Sequence, residues 1–220
     1  MNSSIEHHGV DGNSYFGQSR PEILELIKNS DKNILDIGCG SGVLGAQIKK
    51  TFEDVKITGI EFSKDAAAQA KNNLDVVIQG DIVNMELHFE EKTFDLIIFA
   101  DVLEHLSAPE SALNNVLPYL KNNGRVIVSL PNVRHFSVLL PLIFKDSWEY
   151  QDRGIMDKTH LRFFTRSSAV KLIEESGLEV KLITKNLRYV KKLAIIIDKI
   201  TFGKLKGFFV QQWIIVAVKN

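Results

Sequence analysis

The sequence predicts an α/β fold, a mostly parallel β-sheet with helices on both faces. Two patterns carry that expectation. Apolar runs recur at "NILDI", "VKITGI", "LDVVIQ", "FDLIIFA" and "GRVIVSL", with helical patterns such as "SKDAAAQAKNN" and "PESALNNVLPYL" between several of them. Strands that alternate with helices pair in parallel, and a sheet buried on both faces needs strands that are apolar throughout, which is why "DLIIFA" does not alternate. The third observation is the break after the first run, where Gly38, Gly40 and Gly42 open a strand–turn–helix.

Taken in order, a polar lead over residues 1–14 reads as flexible, and "SRPEILELIKNS" as a helix with Ser19 as cap and Pro21 in the first turn. The strand–helix alternation then runs to Leu130. Residues 131–164 break the rhythm with an apolar, helix-like half followed by a polar half dense in Asp, His and Arg, and read as a lid or substrate insertion over the open end of the sheet. A helix at "RSSAVKLIEESG", stopped by Gly177, and a strand at "LEVKLIT" follow. Residues 185–207 form a basic, apolar insertion before a last strand in "GFFVQQWIIVAVKN". With no repeat or linker between them, these segments read as one domain over residues 1–220.

Composition sets bounds on function. The chain has 220 residues, 45% of them hydrophobic, and equal numbers of basic and acidic side chains at 27 each, so no overall field recruits nucleic acid. A single cysteine, Cys39, offers no intramolecular disulfide and no metal-ligand spacing, and a reducing, cytoplasmic setting is the simplest reading. The N-terminus lacks an apolar signal core and no apolar stretch is long enough to span a bilayer, so neither secretion nor a membrane span is expected.

The glycine turn narrows the chemistry. A dinucleotide fingerprint reads G-x-G-x-x-G, whereas here the spacing is G-x-G-x-G, Val43 holds the sixth position, and Asp36 precedes the glycines. A pyrophosphate wants a helix N-terminus without a nearby anion. An acid two residues upstream suits a ligand with a cationic amino group. Glu61 closes the second run at the distance expected of a ribose acceptor, and Asp81 follows the third, where it can accept from an adenine amino group. Acids at the carboxyl ends of the first three strands converge on one crevice.

Together, "LDIGCGSG", "GIEFS", "GDI" and "FDLIIFADVLEHL" resemble the class I S-adenosylmethionine-dependent methyltransferases, and "DKTHLRFFT" extends the resemblance toward a bacterial small-molecule or glycan-type branch. The resemblance implies a Rossmann-like, doubly wound sheet of seven strands ordered 3-2-1-4-5-7-6, the last antiparallel. It also implies S-adenosylmethionine as cofactor and S-adenosylhomocysteine as product. Gly38, Cys39, Gly40 and Gly42 would lie along the methionine part, near Asp36 and Ala100. Glu61 would hold the ribose, Asp81 and Ile82 would meet adenine, and Phe62 would pack by its ring. Tyr15 and Arg20 would close over the cofactor or its carboxylate. Cys39 reads as a small apolar filler rather than a nucleophile.

A hydroxyl acceptor needs a base, and histidine is the natural one. His105, just after the fourth strand, reads equally as that base or as an orienting histidine bonded to backbone. His160 has Asp157 before it to fix a tautomer and Arg162 after it to bind an anion, or the three form a clasp that anchors the lid. Asn132, Arg134 and His135, just after the fifth strand, are candidate substrate contacts. No H-E-x-x-H or comparable spacing occurs, and no metal is expected; His7 and His8 lie too near the terminus to count.

The expected function is transfer of a methyl group to a small-molecule, sugar or lipid-linked glycan acceptor, at oxygen, with a histidine base. An idle cofactor-binding module and a nitrogen methyltransferase stay open as alternatives. Residues 185–206 are locally basic and rich in isoleucine, which fits either a core insert or contact with an anionic membrane surface.

Overall fold

The first apolar run becomes the centre of a sheet because both of its faces are oily. In the computed structural model, which describes residues 20–186, 205 and 207–219, β1 (Asn33–Ile37) lies parallel to β2 (Lys56–Glu61) on one side and β4 (Phe94–Ala100) on the other. β3 (Val76–Gln79) pairs outside β2, and β5 (Leu120–Pro131) outside β4. β6 (Leu178–Asn186) and β7 (Gln212–Lys219) complete seven strands in the order β3-β2-β1-β4-β5-β7-β6, with β7 antiparallel to both neighbours. This is the expected doubly wound sheet.

Alternate residues of each central strand feed two separate cores. Leu35, Ile37, Ile97, Phe99, Val126 and Val128 pack on one face, and Ile34, Leu96, Ile98 and Ile127 on the other. Helices α1 (Pro21–Leu24), α2 (Val43–Thr51), α3 (Lys64–Ala70), α4 (Pro109–Val116) and α6 (Arg166–Glu175) surround the sheet, and α5 (Phe136–Lys145) lies in the insertion after β5. α6 begins on a Thr165–Ser168 capping box, and Gly177 follows its end at φ +87°.

Three elements depart from their sequence patterns. α1 is one turn long; Leu26 and Ile27 donate to Ile23 and Leu24, so the chain continues as tight i→i−3 turns that still bury Ile23 and Ile27. β3 is shorter than "LDVVIQ" because Leu74 is recruited to the core, while the Asp75 carboxylate accepts the Ile57 N–H at 2.8 Å and pairs with Lys49 at 2.7 Å. β5 starts earlier than "GRVIVSL", the extra length being taken up by a register shift opposite Phe94 and Leu96. The insertion leaves and returns at one edge, since Asn132 and Phe164 form a parallel bridge. Most of the basic segment 185–207 lies outside the described residues. Among the described residues, no helix is long and apolar enough to cross a membrane.

One buried ion pair ties the N-terminal segment to the sheet. Arg125 on β5 pairs with Asp31 and also donates to the Leu26 carbonyl at 3.0 Å, and both charged groups are buried. Removing one partner leaves the other charge without compensation. Arg125→Ala should therefore cost about 3–5 kcal/mol in a urea titration.

Candidate active site

Carboxylates gather at the carboxyl edge of the sheet because β1, β2 and β4 run parallel and end side by side. Asp36 lies on β1, Glu61 ends β2, and Asp101 follows β4. The turn after β1 carries Gly38, Gly40 and Gly42 at φ +65°, +55° and +78°. A side chain at Gly38 would be strained at that φ, and its Cβ would sit 2.5 Å from a methyl of Val102. Gly42 is the N-terminal flank of α2.

Glu61 is the strut of this turn. One carboxylate oxygen accepts the Gly40 N–H and the other the Ser63 N–H, each at 2.8 Å. Lone pairs remain on both oxygens for the ribose hydroxyls expected there. Asp36 is different: it is buried, and its Oδ2 has no hydrogen-bond partner. Burial, and then the nearby Glu61 charge, push its pKa up to about 7, against the smaller opposing pull of Arg20. An orphaned, buried acceptor beside a turn of left-handed glycines fits a ligand that brings a cationic amine, as S-adenosylmethionine does.

The remaining sequence candidates take varied places. Phe62 is 68% exposed, leaving its ring available to a nucleobase. Asp81 spends its carboxylate on the Val83 N–H at 3.0 Å and the Asn84 side chain at 2.7 Å, while Ile82 packs in the core. The buried Cys39 thiol lies against Gly59, and burial raises its pKa far above the usual thiol range. Ala100 is the last residue of β4. Arg20 pairs with Asp101 rather than standing open for a carboxylate. Tyr15 lies outside the described residues.

Asp101 was not singled out by sequence. It sits at φ +56°, held there by Arg20 on one oxygen and by Ser129 and Gln212 on the other. A non-glycine residue in that conformation is worth its strain only where the surroundings over-determine it. The signal was present, since Asp101 follows a strand end as Glu61 and Asp81 nearly do.

Past Asp101 the chain makes a 3-10 turn, Leu103–His105, and the insertion docks on it: the Glu104 carbonyl accepts the N–H groups of Leu161 and Arg162 at 2.8 and 3.0 Å. That contact brings His160 to His105, with ring centroids 4.7 Å apart and an interplanar angle of 75°. His105 Nδ1 lies 3.3 Å from the Thr159 carbonyl and 3.1 Å from Thr159 Oγ1, which itself donates to Asp157 Oδ1 at 2.7 Å. Nδ1 of His105 must then be the donor. His160 Nδ1 likewise donates to the Ile155 carbonyl, 3.0 Å away. Both imidazoles are thereby set in the tautomer that keeps the lone pair on Nε2. Burial, and then the neighbouring His160, lower the pKa of His105, so it is neutral at pH 7.

Several expected roles shift here. The tautomer of His160 is set by Ile155, not by Asp157, whose carboxylate orders Thr159 instead. Arg162 donates to the Ser107 carbonyl at 2.6 Å, a bond from the insertion to the chain after β4 rather than to an anion. Asn132 is fully buried with both amide protons spent on the Gly207 and Val210 carbonyls, each at 2.7 Å, so it braces the sheet edge rather than a substrate. His135 caps α5, its Nδ1 accepting the Ser137 N–H at 3.3 Å. Arg134 is exposed. Glu104, beside His105, escaped the sequence reading: it is 1% exposed, neither carboxylate oxygen has a hydrogen-bond partner, and burial followed by the Asp101 charge drives its pKa well above the ordinary range.

A family model described as a methyltransferase domain matches residues 28–186, the span that contains the glycine turn, the acidic edge and the histidine pair. The chain belongs to this methyltransferase family. It has the class I fold of S-adenosylmethionine-dependent methyltransferases, and S-adenosylmethionine is the donor that goes with it. A relative named ubiquinone biosynthesis O-methyltransferase in Photobacterium profundum is 28% identical over 161 residues, covering 70% of this chain and 66% of its own length. Among solved structures, a SAM-dependent methyltransferase from Archaeoglobus fulgidus superposes with TM-score 0.67 at 18% identity over 94% of this chain and 97% of its own. A possible histamine N-methyltransferase from Thermotoga maritima gives 0.64 at 19% identity over 90% and 87%. The chain thus spans just under two thirds of the P. profundum relative, and the two structures speak to fold alone.

A cation can join Asp36 only once its carboxyl has lost its proton. With a pKa of about 7, affinity for S-adenosylmethionine should be about tenfold weaker at pH 6 than at pH 8, since one proton competes for the site. Calorimetric titrations at the two pH values test this, and in Asp36→Asn the affinity should be weaker and the difference should vanish.

Proposed function

We propose that the chain methylates a hydroxyl oxygen of a small-molecule acceptor, with the His105–His160 pair handling the hydroxyl proton. When bound, S-adenosylmethionine supplies a methyl group already activated by its sulfonium. Asp36 receives the amino group, and Gly38, Gly40 and Gly42, with Cys39 behind them, leave room for the methionine part. Glu61 accepts the ribose hydroxyls, the exposed ring of Phe62 packs on the base, and the Asp81–Ile82 turn after β3 meets the edge of the base with the lone pairs its carboxylate has left. Arg20, tied to Asp101, closes one side, with Ala100 at the strand end below.

In-line transfer from a sulfonium needs the acceptor oxygen held in position and relieved of its proton. The observation that carries the reading is the pair of imidazoles at the end of β4, both with Nδ1 bonded to carbonyl oxygen so that Nε2 is the basic nitrogen. A neutral Nε2 can take a hydroxyl proton as the C–O bond forms. The P. profundum relative's name supports oxygen as the reacting atom. An apolar or lipid-linked acceptor, sugar-bearing or not, is supported by α5, whose Ile143 and Phe144 are 67% and 77% exposed. These side chains, with the basic residues of 185–206, also suit contact with a membrane surface.

A screen of phenolic, sugar and lipid-linked hydroxyl acceptors, scored by S-adenosylhomocysteine release, tests the proposal. With the acceptor in hand, His105→Ala and His160→Ala should each slow turnover on the order of a hundredfold while donor affinity changes less than about twofold. Methylation of amines in place of hydroxyls, or full turnover by both variants, would overturn it. Glu61→Ala should weaken donor binding by about 1–3 kcal/mol, as two charge-assisted backbone hydrogen bonds and the ribose contacts are lost together.

A further inference from the structure

Glu104 poses a problem that hydroxyl chemistry alone leaves unsolved. A carboxylate 1% exposed, with no hydrogen-bond partner on either oxygen, is among the costliest groups a protein can bury. Such groups are tolerated when a proton or a cation compensates them. Asp101, the acid whose charge acts on Glu104 most strongly, is already paired with Arg20 and offers no relief.

The surroundings point to a cation. One donor atom from each of Glu104, His105 and His160 lies within 4.8 Å of the other two. Histidines that ligate metals usually donate their second ring N–H to a carbonyl or carboxylate, which fixes the tautomer. Both histidines do so here, His105 to Thr159, itself held by Asp157, and His160 to Ile155. Thr159, Asp157 and Ile155 thus act as the outer shell that such a site needs.

We propose that Glu104, His105 and His160 form a binding site for a divalent first-row transition cation. Two imidazoles and one carboxylate are the donor set of zinc and of manganese or iron(II), rather than of calcium or magnesium, which prefer oxygen alone. The set leaves coordination positions for an acceptor oxygen. The inference rests on the same site as the hydroxyl-methylation reading and changes its chemistry: the imidazoles act through the cation. A hydroxyl bound there loses its proton to solvent because the cation lowers its pKa, and the oxygen then takes the methyl group as the C–S bonding pair leaves with sulfur. Sequence spacing hid the site because the insertion supplies His160 from far along the chain.

The test uses the full chain stripped with a chelator and titrated with Zn2+ alone against a chromogenic competitor, with Co2+ absorption spectra in parallel. One equivalent should bind. Glu104→Gln and His160→Ala should each weaken Zn2+ binding at least tenfold and alter the Co2+ bands, while S-adenosylmethionine affinity stays within about twofold. Glu104→Gln keeps the size of the side chain and brings no charge into the interior, so it should melt no lower than the metal-free parent and loss of the fold does not confuse the result. No stoichiometric Zn2+ or Co2+ in the parent, or unchanged binding in both variants, would overturn the site. Stoichiometric metal without methyl transfer to any hydroxyl would uphold the site and sink the hydroxyl-methylation reading instead.

Discussion

The site depends on a carboxylate that works on the backbone. Glu61, at the end of β2, accepts amide protons from Gly40 on one side and Ser63 on the other, and so locks the glycine turn against the strand beside it. Without that tie, a turn with three residues at positive φ has little to hold one conformation, since glycine loses more entropy on ordering than any other residue. The parallel register of β1 with β2, Ile37 opposite Ile60, is what puts the two within reach. Fold and site are joined at this point.

A second tie of the same kind assembles the other half. The Glu104 carbonyl takes two amide protons from the returning insertion, and that contact, with the Thr159–His105 and Arg162–Ser107 bonds beside it, brings His160 to His105. Here the side chain is left over: with the main chain of Glu104 occupied in docking, its carboxylate is carried into the interior unpartnered. A residue whose backbone is structural and whose side chain is unsatisfied is more readily explained by the chemistry of the site than by stability.

The sheet was legible because burial on both faces writes strands as unbroken apolar runs, and the glycine turn was legible because positive φ demands glycine. Asp36 could be placed by its distance from the glycines alone. What escaped the sequence were partners chosen in three dimensions. Asn132 looked like a loop polar group reaching for substrate, yet its amide is consumed by the carbonyls of Gly207 and Val210, residues far along the chain. Asp157 looked like the partner of His160 but turns back on Thr159, because an Asp two residues ahead of a backbone N–H closes a local turn more cheaply than it reaches a ring. Leu74 and Asp75 belong by composition to the third strand, and were drawn off by the core and by Lys49.

The charge at this edge has a consequence for the proposed reaction. Asp36, Asp101 and Glu104 all feel the Arg20 charge, and with Glu61 the acids outnumber it, so the crevice favours positively charged occupants. S-adenosylmethionine carries two positive centres, the amine and the sulfonium, and transfer of the methyl abolishes the second. Carboxylates close to the sulfonium would hold the reactant more tightly than the transition state, in which that charge is already fading, and would slow the step. Asp36 avoids this if it meets the amine, whose charge is the same before and after transfer. Glu61 keeps its charge but is turned, in the proposed pose, to the ribose hydroxyls and to two amide protons rather than to the sulfonium. Asp101 is neutralised by Arg20, and Glu104 is either protonated or bound to a cation. Each acid at the edge is thus paired, protonated or turned to groups whose charge does not change in the reaction, which leaves the departing sulfur in surroundings that do not resist its loss of charge.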